Sequence, residues 1–302
     1  MISGDSFLRS RPSRSRRRVL FQTAGALLLS TLLLIPAGCV SRITGRLADG
    51  LSGAIADHPD PATVRDGGPA YLLMVDGLLR NDPENANLLR SAAELYATYA
   101  DAYVDEPERV QTLTERGLDY GLRAVCVSEA AVCGLREMAF SAFESALTET
   151  DEGDVPSLFA LGAAWAAWIQ ARRDDWNAVA EISRVEAVMN RVVALDEGYR
   201  DGGGHLYLGA LATLAPPALG GRPEEGRAHF ERAIRLSGGK NLMAKVLFAR
   251  HYARTVFDRE LHDRLLREVL AADPEAEGFA LSNRLAKEEA EALLAGSEAY
   301  FE

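Results

Sequence analysis

The chain has 302 residues, 48% of them hydrophobic and 7% aromatic, with a formal charge of −11. Residues 1–38 carry six Arg against one Asp, a net +5, so the remainder stands at −16. An acidic body of that size argues against a nucleic-acid partner. The 26 Gly and the lack of long alternating apolar patterns argue against extended sheet, leaving an all-α protein with a core of its own. The first element is an export signal. Arg14, Arg16, Arg17 and Arg18 precede an apolar run over 19–35, which ends at Pro36-Ala37-Gly38-Cys39. Small residues ahead of a cysteine resemble the bacterial lipobox. On that reading 1–38 is a lipoprotein signal peptide and Cys39 carries the lipid that anchors the mature protein to a membrane. It competes with a plain signal peptide and with a short anchor holding a buried Cys39. Ser15-Arg16-Arg17 resembles a twin-arginine start, so the export route stays open. Val40 and Ser41 follow the cysteine, without an Asp to retain the protein at the inner membrane. The expected location is therefore the periplasm, anchored to the outer membrane.

Residues 39–69 read as a lipidated tether and first helix, and 70–302 as a helical repeat domain. A helix over 70–79 is stopped by Asn81-Asp82-Pro83. The next covers 86–103, with Ala92, Ala93 and Tyr96 in a small–small–aromatic pattern, and Glu106-Pro107-Glu108 opens a partner running to about Ala124. A repeat is visible within the chain itself. The segment Glu115–Ala124 (ERGLDYGLRA) lies over Glu224–Ala233 (EEGRAHFERA), with Gly117 on Gly226 and Ala124 on Ala233. Val192 and Val269 take the same place, giving intervals of 68, 41 and 36 residues. The tetratricopeptide (TPR) period is ~34, and the first interval is about two of them. Leu161-Gly162…Trp165, Leu208-Gly209…Ala212 and Phe248-Ala249…Tyr252 mark first helices. The expected fold is a TPR-like helical-hairpin superhelix, an α-solenoid with extra flanking helices. A helix over 129–147 interrupts the pattern beside Cys126 and Cys133. In an exported protein these thiols either pair, which requires a turn near Ser128–Ala130, or lie buried separately.

Motifs for chemistry are missing. The five His residues have no zinc-ligand spacing, and no nucleophile elbow, dinucleotide fingerprint or C-x-x-C occurs. Gly238-Gly239-Lys240 suits a helix cap better than a phosphate loop. The expectation is a binding protein with no enzyme activity, no metal and no cofactor. If first helices line a concave face, the lining reads Phe159, Ala163 and Ala166, then Leu206 and Ala210, then Met243, Val246, Arg250 and Arg254. That surface is apolar with cations at one end. Either an extra helix fills it and makes it core, or it holds an amphipathic or organic-acid ligand whose carboxylate meets Arg250 and Arg254. Trp165 falls on a core position, with Trp168 and Trp176 near the following turn.

The wording of one stretch is more specific. A loop PPALGG (216–221) is followed by RPEEGRAHFERAI, LSGGKNLMAKVLFARHYA and FDRELHDRLLREVLAADPE. This resembles the TatT family, TPR-containing lipoproteins associated with tripartite ATP-independent periplasmic (TRAP) transporters, and the resemblance spans about 60–295. It implies a periplasmic, lipid-anchored protein that forms homotrimers with a central pore beside the transporter's substrate-binding protein. It further implies an accessory that receives or passes a small hydrophobic or organic-acid ligand, with no catalytic residues to carry over. The alternative is a TPR lipoprotein that scaffolds envelope or outer-membrane assembly through protein–protein contacts.

Overall fold

The computed structural model describes residue 50 and residues 53–302, within the compact unit Thr44–Glu302. Cys39, the signal segment and most of the tether lie outside the described residues. Thirteen α-helices and no strand occur among the described residues, so the fold is all-α.

Asp60 caps α1 (Pro61–Asn81) by accepting from the amides of Ala62 and Thr63, with Pro61 in the first turn. The helix therefore starts at Pro61 rather than at 70, and the boundary expected at 69/70 falls inside it. It runs through Pro69, whose ring nitrogen cannot bond the carbonyl of Arg65. The Tyr99 hydroxyl donates to that carbonyl instead, at 3.2 Å, and Gly68 leaves room for the Tyr99 ring. Asn85 caps α2 (Ala86–Tyr103), and Pro107 opens α3 (Pro107–Ser128). These two form an antiparallel hairpin. Arg123 near the end of α3 donates to the carbonyl of Pro83 at 2.9 Å, and Gly117 lies so close to α2 that an added Cβ would sit 3.3 Å from the Tyr96 Cβ.

The helix expected over 129–147 is not one helix. The chain turns at Glu129 and makes two 3-10 turns, Ala130–Val132 and Leu135–Glu137, before α4 (Phe140–Thr148). Two features break the run. Gly134 takes φ 71°, and Cys126 and Cys133 are disulfide-bonded with Cα atoms 4.4 Å apart. Then come α5 (Val155–Gln170), the short α6 (Trp176–Ala180), α7 (Ile182–Leu195), α8 (Tyr199–Ala212) and α9 (Pro223–Leu236). In the α8–α9 hairpin Gly209 lies under the ring of Phe230, and Gly226 faces the carbonyl of Gly209. Past α9, Gly238 and Gly239 take φ 57° and 76° and cap its end. The remainder is α10 (Leu242–Leu247), widened into a π turn over Phe248–Ala253, then α11 (Arg259–Ala271), α12 (Ala280–Ala295) and α13 (Ser297–Phe301).

Three apolar clusters hold the helices together. The first joins α1, α2 and α3 around Leu88, Leu89 and Tyr96. The second sets Trp165 edge-on to Phe143, 6.1 Å apart, among Leu158, Leu161 and Met189. The Trp165 indole nitrogen donates to Glu181 at 2.6 Å, which offsets the desolvation of a fully buried ring. The third stacks Phe230 on Phe248 at 5.4 Å, with Leu266 and Val269. Trp176 differs from the other tryptophans in being 85% exposed.

Candidate functional site

Helices α2, α5, α8, α10 and α12 contact one another in that order, and α12 returns to α1; ahead of these two helices Asp57 accepts from the amide of Gly278 at 2.5 Å. Three half-buried titratable groups lie on this row. Burial raises the carboxyl of Glu94 and the phenol of Tyr207, and it lowers the imidazole of His251 to about 4, with Arg250 as a second cause. All three still touch solvent, Glu94 over 26% of its side chain. Groups crowded by protein and yet wetted line a recess rather than a core.

The expected lining residues fall into three sets. Leu206, Ala210 and Met243 are half-buried on this row. Phe159 and Ala163 are buried, because the rings of Tyr199 and Tyr207 meet Phe159 edge-on at 5.4 and 5.9 Å. Val246 is a correction. It is fully buried in the third cluster with Leu242 and Phe230, while the half-buried face of α10 carries Met243 and Leu247. One position along a helix is a rotation of about 100°, enough to move a side chain from recess to core.

The two expected cations are both engaged by the C-terminal helices. Arg250 donates to Glu289 of α12 at 2.6 Å. Arg254 lies over the ring of Tyr300 in α13, 4.4 Å from its centroid. Helices α12 and α13 thus cap this end of the recess.

The opposite end holds a pair not among the expected residues. Arg200 donates to Glu94 at 2.7 Å across 106 positions of sequence. Its backbone is unusual. Arg200 and Asp201 take φ 50° and 54°, Gly202 takes 83°, and regular helix begins only afterwards. Left-handed geometry at two residues with side chains costs roughly 1 kcal/mol or more each. The neighbours impose it. A Cβ on Gly202 would lie 2.8 Å from Leu236, one on Gly203 2.9 Å from the Phe159 ring, and one on Gly204 2.9 Å from Val193. Three glycines thus let the start of α8 press against α9, α5 and α7 at once, and the turn leading in aims Arg200 at α2. A signal for Glu94 was present in the sequence. The offset that picks Phe159 and Ala163 from Leu161-Gly162…Trp165 picks Arg90 and Glu94 from Ala92-Ala93…Tyr96.

Other polar clusters are internal to the scaffold. His205 and His229 bring their Nδ1 atoms to 2.7 Å, and Glu197, held by Arg232, receives His205 on the other side at 3.2 Å. His262 bonds Asp263, which also accepts from Ser297 and so ties down α13. Among the described residues no group of three His, Cys, Asp or Glu is placed to hold a metal ion, and no helix is long and apolar enough to cross a membrane. A surface depression of about 820 Å³ runs along the outer face of α3, and its charges already satisfy one another, as in Arg172–Glu115 at 3.0 Å.

Comparison with known proteins gives two findings. The profile of a family described as the TRAP transporter T-component matches residues 57–301. An uncharacterized protein of Treponema pallidum (strain Nichols) is 23% identical over 283 residues, covering 87% of this chain and 84% of its own length.

Proposed function

The chain belongs to the TRAP transporter T-component family, and on that premise we propose that it is a periplasmic ligand-handling accessory of such a transporter. The family is a transporter component rather than an enzyme family. In this reading the helical hairpins form a TPR-like superhelix whose concave recess takes a small hydrophobic or organic-acid ligand. The protein receives that ligand from, or passes it to, the transporter's substrate-binding protein. It acts as a homotrimer held at the outer membrane by a lipid on Cys39.

The observation that supports this most is the character of the recess. Its walls carry Leu206, Ala210, Met243 and the tyrosines over Phe159, and its charged side chains sit at the two ends. Apolar walls with a few placed polar groups are the usual make-up of a small-molecule site. Peptide-clamping grooves would carry polar side chains throughout.

The test is to extract the full-length protein in mild detergent and mix it with the substrate-binding protein of the transporter. Native mass spectrometry is expected to give a trimer, a bound small molecule and a complex with that partner. Absence of both ligand and complex would overturn the reading. Changing Cys39→Ser is expected to move the protein into the soluble periplasmic fraction, and retention at the membrane would remove the lipid anchor.

A further inference from the structure

An ion pair that keeps this much solvent contact contributes little to stability. Arg200 has 54% of its side chain exposed and Glu94 26%. Such a pair does not account for two strained residues held in the first turn of α8. The strain fixes where Arg200 points, and it points at Glu94 of α2, with its guanidinium 6.0 Å from the ring of Tyr199; Tyr199 and Tyr207 both pack on Phe159. Outliers of this kind gather at ligand clamps, where a surrounding scaffold holds them.

We propose that Arg200 is the head-group site of the recess: a ligand carboxylate replaces the Glu94 carboxylate on the Arg200 guanidinium, and the apolar body of the ligand lies against Tyr199 and Tyr207, the half-buried rings that cover Phe159. This rests on the ligand-handling reading above and adds the head-group chemistry to it. A guanidinium presents five N–H donors in a planar fork suited to a carboxylate. Glu94 takes one bond from that fork. Displaced, Glu94 has a second partner within reach. Arg90 lies one turn earlier on α2, at the spacing where side chains of a helix meet, and its charge already acts on Glu94. The exchange therefore leaves no bare carboxylate in a crowded space. Glu94 moves from Arg200 to Arg90, and the ligand takes its place. Asp101, two turns further along α2, adds negative charge near the Tyr207 phenol and disfavours seating the carboxylate there. The two cations about Glu94 select an anionic head over an ammonium one.

The probes are decanoate and decan-1-ol, which share a tail and differ in the head, titrated calorimetrically into the full-length protein. Decanoate is expected to bind more tightly. Arg200→Gln is expected to weaken decanoate by about 10-fold to 100-fold, the range of a lost charge-assisted contact, and to leave decan-1-ol within about twofold. Glu94→Gln, which removes the competing carboxylate, is expected to tighten decanoate several-fold. The double variant Glu94→Gln/Arg200→Gln carries no unpaired charge and should match Arg200→Gln for decanoate, which guards against a folding defect in the single change. Equal decanoate affinity in the wild type and Arg200→Gln would overturn the assignment. Weaker decanoate binding to Glu94→Gln would also overturn it. Binding of decan-1-ol with decanoate excluded would overturn the head-group site and leave ligand handling intact. Binding of neither would overturn both.

Discussion

Two arginines face the recess, each bonded to a glutamate of another helix at 2.7 or 2.6 Å, and the two ends are built differently. At one end Arg200 stands on a left-handed turn, beside the ring of Tyr199. At the other, Arg250 and Arg254 leave the π-widened end of α10 and fasten α12 and α13. Equal bond lengths hide unequal roles. The first pair brings together segments already packed through α5, and its loss undoes no helix contact. The second adds to the contacts that dock α12, which also buries Ala286 and Ala290 in the third cluster and bonds the Leu242 amide through Asn283 at 2.9 Å. The difference teaches that an ion pair's role is read from what its backbone and neighbours would lose with it.

The largest effect should come from attacking the turn itself. Gly202→Val forces a branched side chain into left-handed geometry, with its Cβ 2.8 Å from Leu236. About 3–4 kcal/mol of stability should be lost, by strain plus overpacking, read as a lower denaturant midpoint. A loss under about 1 kcal/mol would mean that the turn relaxes freely and does not aim Arg200.

The next effect concerns pH and the Arg250 end. His251 is held to about 4 by burial and by the charge of Arg250, whereas an unfolded histidine titrates near 6.5. Its contribution is complete above pH ~6.5 and is lost as pH falls toward 4, because only the unfolded chain takes up the proton in that window. Between pH 7.5 and pH 5, His251→Gln should therefore lose about 2 kcal/mol less than the wild type. Parallel pH profiles would show that His251 is freely solvated.

Arg250→Gln should cost at most about 1 kcal/mol and raise amide exchange in α12, since a half-exposed pair contributes no more than that. The smallest effect has the opposite sign. Arg200→Gly relieves a left-handed residue and should be more stable than Arg200→Ala by up to about 1 kcal/mol. If the alanine variant is the more stable one, the backbone there carries no strain.

The sequence revealed most where spacing alone decides structure. Small residues opposite aromatics marked the close hairpins, as with Gly117 of α3 against Tyr96 of α2 and Gly209 of α8 against Phe230 of α9, and the glycine pair after Leu236 marked a cap. It revealed less where a distant residue decides. Helix α1 continues past Pro69 because Tyr99, far along the chain, supplies the missing donor. The segment over 129–147 breaks at Gly134 and at the disulfide, neither of which disturbs an apolar count. Val246 was misplaced because one residue's rotation separates lining from core. Arg200 has no preference for positive φ, and Asp201 only a modest one, so chiefly Gly202, Gly203 and Gly204 hinted at the turn, and a glycine run does not say where the residue before it will point.

The contrast between the two ends can be read from two variants side by side: decanoate affinity and melting temperature for Arg200→Gln and Arg250→Gln in the full-length protein. The account predicts that ligand binding separates them. Arg200→Gln should lose decanoate binding and Arg250→Gln should keep it, with both melting temperatures within a few degrees of the wild type. Arg250→Gln losing the ligand while Arg200→Gln retains it would contradict the account.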